Sequence, residues 1–128
     1  MKIVVDVRGQ TGSDSLRQYG EQRHSPRYPF EVEVRIYPRN SPVVRGHSVD
    51  ISESGLAVIL RLDLPPGEMV RVEFKVPHGE VEVWAVVKQR TAFRHGLQFL
   101  DSGPAKELIH RTCRQLAMEA AANSARNR

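Results

Sequence analysis

Alternating apolar and polar side chains are the feature that most constrains how this chain can fold. Between residues 30 and 36, apolar side chains occupy every even position and charged side chains occupy every odd position. A β-strand points successive side chains to opposite faces, so this pattern predicts a strand with one buried face. Similar patterns predict five further strands, near residues 43–49, 55–62, 68–76, 80–89 and 93–100. Six short strands with no helical pattern between them predict an all-β domain, either an antiparallel barrel or a sandwich.

The spacing of apolar residues changes after residue 101. Ser102 or Gly103 can cap a helix, and Pro104 suits its first position. Apolar residues then recur every three or four positions, as on one face of a helix: Leu108, Ile109, Cys113, Leu116, Ala117 and Ala120. The sequence therefore predicts a C-terminal helix over 103–122, followed by a frayed tail over 123–128.

Composition narrows the class of protein. The chain has 128 residues, enough for one domain, and its longest clean apolar run, at 55–60, is far shorter than the roughly 18 residues that a membrane-spanning helix needs. One cysteine cannot form an internal disulfide or anchor a zinc site, and the five histidines lack metal-site spacing. These features predict a protein without membrane insertion, metal or cofactor. Residues 1–7 lack the features of a secretory signal, so we expect the protein to be cytoplasmic. Residues 1–20 are predicted to be an extension with one short strand and then a flexible, turn-rich segment.

Positive charge is concentrated at the two ends of the chain. Residues 1–29 carry five basic and three acidic side chains, and residues 106–128 carry five and two, within a net charge of +4. A single-stranded nucleic-acid-binding barrel is one function that this charge would suit. Aromatic residues make up only 6% of the chain, which argues against that function because such barrels stack bases on exposed rings.

Two arginines lie four residues apart, at Arg23 and Arg27, just before the first predicted strand. Pro26 and Pro29 disfavour helical conformation in the residues before them, so the segment 21–29 should be extended. In an extended chain the two Cα atoms lie up to about 13 Å apart, at about 3.3 Å per residue. Such a strap can grip a ligand from two sides.

A second motif, Asp50-x-Ser52-x-x-Gly55, falls where one predicted strand ends and the next begins. Asp and Ser form hydrogen bonds close to the backbone, and Gly55 lets a bulky ligand approach the main chain. An ordinary capped turn is the alternative interpretation of this motif. Arg side chains pair with phosphate or with the O6 and N7 edge of guanine, so the two motifs together suit a guanine nucleotide.

The pairing of these two motifs resembles the signature of PilZ domains, bacterial receptors for cyclic di-GMP. The resemblance runs from about residue 21 to the C-terminal helix and includes Gly96-Leu97-Gln98-Phe99. It implies a six-stranded antiparallel β-barrel of the split type with a C-terminal α-helix. The PilZ-like domain would span 21–122, with the strap at 21–29, the barrel at 30–101 and the helix at 103–122.

The resemblance also implies a binding site and a role. Arg23 and Arg27 would grip the guanines and phosphates of cyclic di-GMP, with Asp50, Ser52 and Gly55 forming the floor on the barrel. The expected role is that of a receptor or adaptor, not an enzyme, that changes conformation and signals to a downstream protein, as in motility or biofilm regulation. A degenerate adaptor without ligand binding is the alternative within the family. We expect a monomer or weak dimer.

The residue before the first motif arginine departs from the family pattern. Many PilZ domains have a basic residue directly before the first motif arginine, where this chain has Gln22, which leaves open whether one or two ligand molecules bind. Trp84 lies on the outward parity of its strand. We expect the C-terminal helix to cover it, the alternative being a partner-binding anchor.

Overall fold

The computed structural model describes residues 25–100 and 103–126. The predictions for residues 1–20, for Arg23 in the strap and for a Ser102 cap therefore lie outside the described residues. In chain order the elements are β1 (Tyr28–Pro29), β2 (Glu33–Tyr37), β3 (Val44–Ile51), β4 (Gly55–Ile59), β5 (Met69–Val76), β6 (Gly79–Thr91), β7 (Arg94–Phe99) and α1 (Pro104–Arg126).

Six of the seven strands, β2 to β7, form a closed antiparallel barrel. The strands are ordered β3-β2-β5-β6-β7-β4, and a pairing between β3 and β4 closes the ring. This arrangement confirms the six-stranded barrel and selects it over the sandwich. The short strand β1 was not predicted separately; Tyr28 lies opposite Ile51 and Pro29 opposite Asp50, which joins the end of the strap to β3.

The even positions of β2 point into the core, as the alternation predicts. Val34 and Ile36 are fully buried, and so is Phe74 of β5. The Phe74 ring meets Phe30 edge-on and stacks with Phe99, at centroid distances of 6.3 and 6.4 Å. Closing the sheet into a ring removes its exposed edges and buries one face of every strand, so apolar burial and strand pairing stabilise the same structure.

Each of two strands contains one extra residue, or β-bulge. In β3, Ser48 lies opposite Val58 and Asp50 opposite Ala57, which leaves Val49 without a partner in β4. In β6 the register shifts in the same way between 87 and 89. A one-residue shift reverses which face the following side chains occupy, so each bulge changes the direction of the polar residue after it.

The helix α1 packs one face against the barrel. Its buried residues are Ala105, Ile109, Thr112 and Cys113. The helix continues to Arg126, four residues beyond the predicted end at 122. The missed turn follows Ala120, Ala121 and Ala122, and alanine has the highest helix propensity. Within the described chain, no helix has the length and apolar character needed to cross a membrane.

The expectation that α1 covers Trp84 is wrong. Trp84 does point out of the barrel, but 48% of its surface remains exposed. The buried residues Ile109 and Cys113 of α1 belong to the core cluster, and Leu108 lies beside Gly79 at the β5–β6 turn. The apolar face of the helix is therefore used on the core rather than on the outer face of β6.

Candidate functional site

Asp50 lies between two arginine side chains on the outer surface of the barrel. Arg27 donates a hydrogen bond through Nη1 to Oδ1 of Asp50 at 2.6 Å, and Arg94 donates through Nη2 to Oδ2 at 3.1 Å. The Asp50 side chain is only 17% exposed, whereas about half of each arginine side chain is exposed. One carboxylate thus orients two guanidinium groups that still face solvent.

The bulge in β3 is what brings Asp50 to this surface. Ser48 points inward and is buried, so an unbroken alternation would also point Asp50 into the core. The extra residue Val49 turns Asp50 outward and returns Ile51 to the interior, where it is fully buried. The Val49 carbonyl accepts a hydrogen bond from the Phe30 N–H at 3.1 Å, which fixes the strap end against the bulge.

Ser52 shapes the turn between β3 and β4. Its side chain is 1% exposed, and its Oγ accepts hydrogen bonds from the N–H groups of Ser54 and Gly55 at 3.2 and 3.1 Å. The Ser52 N–H donates to the Gly55 carbonyl at 2.9 Å, which closes the turn. Ser52 therefore lies beneath the site and holds its backbone in place, as the capped-turn interpretation predicts, and Asp50 is the motif residue that meets the two arginines.

Gly55 is required by the packing of two strands. A Cβ atom at this position would lie 2.3 Å from the Leu97 carbonyl oxygen, a distance that no side chain tolerates. The glycine therefore allows β4 to approach β7, a reason different from the ligand access argued from the sequence. Gly55 also lines a surface depression.

The depression has a floor of small residues and a polar rim. It has a volume of about 260 Å³ and adjoins a second one of about 150 Å³, and the two share Arg27, Gln89 and Gly96. Small side chains meet across the strands at its base, where Ala57 lies opposite Gly96. The remaining lining residues are Ser54, Gly55, Lys88, Leu97 and Gln98 in the larger depression and Ala57, Thr91 and Arg94 in the smaller one.

Sequence reasoning missed six polar residues of this site: Ser54, Lys88, Gln89, Thr91, Arg94 and Gln98. Arg94 had a signal, since Arg90 and Arg94 repeat the four-residue spacing of the strap arginines. That spacing alone did not indicate which of several such pairs would reach Asp50. Gln89 follows the second bulge, where the extra residue Lys88 turns it from the core towards the depression.

The arrangement is suited to an anionic ligand with a planar base. Arg27, Lys88 and Arg94 contribute three positive charges against the single carboxylate of Asp50. Guanidinium groups bind phosphate or the guanine edge in two-pronged fashion, and a floor of glycine and alanine leaves room for a ring to lie flat. Residues 25–100 and 103–126 contain no group of three or more His, Cys, Asp or Glu side chains that could hold a metal ion.

Comparison with solved structures identifies similar barrels. The chain superposes on YcgR from Escherichia coli in complex with c-di-GMP with a TM-score of 0.69 and 18% identity, covering 84% of this chain and 51% of that one. The PilZ domain of YcgR from Escherichia coli with c-di-GMP gives a TM-score of 0.64 and 16% identity, covering 82% of this chain and 98% of that one. The Bacillus subtilis inhibitor of motility MotI/DgrA gives a TM-score of 0.59 and 25% identity, covering 74% of this chain and 51% of that one. The chain thus spans about half the length of the YcgR and MotI/DgrA chains.

A search of the curated proteins finds no match to this chain. The sequence profile of the PilZ domain family matches residues 21–115, which include both motifs, the whole barrel and the first half of α1. Since this match covers most of the chain and the barrel superposes on solved PilZ domains, the chain belongs to the PilZ domain family.

Proposed function

We propose that this protein is a receptor for cyclic di-GMP that binds the ligand without chemical change and signals to a downstream protein. The observation that carries the proposal is the cluster of Arg27, Asp50 and Arg94 beside a depression floored by small residues. Two solved structures of one similar protein, YcgR from Escherichia coli, are described with c-di-GMP.

The ion pairs at Asp50 prepare the arginines for a ligand. Exposed ion pairs contribute little stability, about 0–1 kcal/mol, so Arg27 and Arg94 can exchange part of their contact with Asp50 for a phosphate or a guanine edge. Asp50 would then keep their remaining N–H groups oriented, or accept a hydrogen bond from the amino group of guanine.

Binding would also order the strap. Arg27 lies just before β1, whose two residues pair with β3, so the described end of the strap is already held against the barrel. Fixing each further residue costs about 1–2 kcal/mol of conformational entropy. Several charge-assisted contacts from Arg23, Arg27 and Arg94 would have to offset that cost, which makes strap order dependent on the ligand.

Calorimetric titration of the purified protein with cyclic di-GMP tests the proposal. Loss of one two-pronged arginine contact should weaken binding by about 1–3 kcal/mol, which is roughly tenfold to a hundredfold in Kd. We therefore expect saturable binding that is lost in the Arg23→Ala/Arg27→Ala variant, with GTP and linear diguanylate binding much more weakly. Arg45→Ala is the matched control, because Arg45 is exposed on β3 and pairs with Glu33 at 3.0 Å, away from the depression.

The same titration separates the alternatives. If cyclic di-GMP gives no heat of binding at several temperatures and shows no binding in a competition assay, the proposal is contradicted and the degenerate adaptor is favoured. Preference for long single strands, with affinity that falls steeply as salt increases, would favour the nucleic-acid-binding barrel. The fitted stoichiometry answers the question raised by Gln22, whether one or two ligand molecules bind.

A further inference from the structure

One face of α1 and the turn between β5 and β6 form a groove that is separate from the depression. The groove has a volume of about 420 Å³, and His78 of the turn lines it together with α1. The helical lining residues recur every three or four positions, so they share one face of α1 over about 16 Å. These residues are Glu107, His110, Arg111, Arg114, Gln115 and Met118, and with His78 we call them the α1 groove.

Positive charge predominates in the α1 groove. Arg111 and Arg114 are exposed and lie one turn apart on the helix. Glu107 is the only carboxylate in the lining and accepts a hydrogen bond from Arg111 Nε at 3.1 Å. More than half of each side chain in this pair is exposed, so the pair contributes little stability and can open for a partner. A segment with several carboxylates is complementary in charge to this face.

The remaining lining residues favour a protein partner over a nucleic acid. Met118 is 63% exposed, the most exposed large apolar side chain in the described part of the chain. Methionine adapts its shape to different apolar side chains, so it suits a protein contact. The seven lining residues include no Phe, Tyr or Trp ring on which a base could stack. The chemistry therefore fits an acidic protein segment that also carries an apolar side chain.

A hydrogen bond joins the α1 groove to the turn between β3 and β4. The His110 Nδ1–H donates to Oε2 of Glu53 at 2.9 Å. Glu53 lies between Ser52, whose Oγ holds the turn, and Ser54, which lines the larger depression. A ligand in the depression would therefore contact the same turn that positions His110.

We propose that the α1 groove binds an acidic segment of the downstream protein, and that the contact between Glu53 and His110 couples this binding to occupancy of the depression. The coupling rests on the proposed function, whereas binding of an acidic segment does not. Coupling of this kind is reciprocal. The factor by which cyclic di-GMP changes the affinity for the segment is also the factor by which the segment changes the affinity for cyclic di-GMP.

Selection from a phage-displayed library of random dodecapeptides tests the groove, with the purified protein free of cyclic di-GMP as the target. We expect the enriched peptides to be rich in Asp and Glu and to contain a large apolar residue. Arg111→Glu/Arg114→Glu should weaken binding of an enriched peptide about tenfold or more, because like charges then face each other. Arg45→Glu/Arg61→Glu is the matched control: it makes the same change of charge at a different surface depression, and screening should keep its effect within about twofold.

A second variant guards against a folding defect. Arg111→Gln/Arg114→Gln removes both charges without placing a new carboxylate beside Glu107, and it should also weaken peptide binding. Circular dichroism checks that every variant is folded. Enriched peptides without acidic residues, or equal affinity for the groove variants and the unmodified protein, would overturn the proposal. A groove that binds a single-stranded oligonucleotide but no acidic peptide would overturn it, and so would self-association that is lost in Arg111→Glu/Arg114→Glu.

Peptide affinity with and without saturating cyclic di-GMP measures the coupling. We expect a change of about fivefold or more in the unmodified protein. Glu53→Ala should abolish this change, although it leaves every residue that lines the groove and the depression in place. If calorimetry shows cyclic di-GMP binding but peptide affinity does not change, the coupling is wrong and the proposed function stands. If cyclic di-GMP does not bind, the coupling fails with the proposed function, and the peptide selection still decides whether the groove binds an acidic segment.

Discussion

Replacing Gly55 with alanine should lower the thermal stability of the domain without adding bulk at any exposed position. The added Cβ would lie 2.3 Å from the Leu97 carbonyl oxygen and 3.3 Å from its carbonyl carbon, and both atoms are backbone. A rotating side chain cannot relieve this contact, so β4 and β7 must move apart. Such movement weakens the pairing between Gly55 and Gln98 and their neighbours in the ladder.

The size of the effect follows from three contributions. Overpacking costs about 1–3 kcal/mol, and one or two weakened strand hydrogen bonds add about 1 kcal/mol each. Alanine restricts the unfolded chain more than glycine does, which offsets about 0.4–1 kcal/mol. The net loss of about 1–5 kcal/mol corresponds to a decrease in Tm of about 4–20 °C, because each kcal/mol lowers the Tm of a domain of this size by about 4 °C.

Thermal unfolding followed by circular dichroism measures this loss, with Gly96→Ala as the control. A Cβ at Gly96 would lie 3.7 Å from the Gln89 Cβ, an ordinary contact, so its Tm should change by no more than about 2 °C. Gly96 lies in the floor of the depression, and its alanine variant should instead weaken cyclic di-GMP binding. Equal Tm values for the Gly55→Ala variant and the unmodified protein would refute the reasoning from strand approach.

Three other predictions concern Arg94, His95 and Cys113. Arg94→Ala should weaken cyclic di-GMP binding about tenfold in calorimetric titration, the effect of one lost charge-assisted hydrogen bond, and less than additively with Asp50→Ala, since the two side chains are in contact. His95→Leu should cost about 1–3 kcal/mol in urea denaturation, because the fully buried His95 Nε2 accepts the Leu64 N–H at 3.1 Å. Burial, with a smaller contribution from Glu53, raises the pKa of the Cys113 thiol to about 11. About one thiol in a thousand is then ionised at pH 8, so a disulfide reagent should label native protein slowly and unfolded protein quickly.

Each of these predictions has its own control and contrary result. Arg45→Ala should bind ligand normally, and an unchanged Kd for Arg94→Ala would remove Arg94 from the site. His78→Leu changes an exposed histidine and should leave the urea midpoint nearly unchanged. A comparable loss in both histidine variants would contradict the role given to the His95 hydrogen bond. Rapid labelling of native protein would contradict a Cys113 thiol that is both buried and held protonated.

The strands were predictable because their signal is local. Alternation of burial in β2, with Val34 and Ile36 inside, follows from backbone geometry that acts over two residues. The start of α1 at Pro104 was predictable for the same reason, whereas its end at Arg126 was not, since the apolar spacing that indicates the helix stops at Ala120. The outward direction of Trp84 follows from its position in the alternating strand, whereas the exposure of its side chain depends on where the distant helix α1 packs.

The sequence by itself determined that the chain forms six strands and a final helix, and it identified Arg27 and Asp50 as residues of one site. Only the tertiary structure decided that Arg94, 44 residues from Asp50 in the chain, completes that site. Ring closure places β4 between β3 and β7, and two single-residue bulges decide which polar side chains face outward. Alternation depends only on neighbouring residues, so it could be predicted from the sequence. Register and ring closure depend on contacts between distant segments, so they could not.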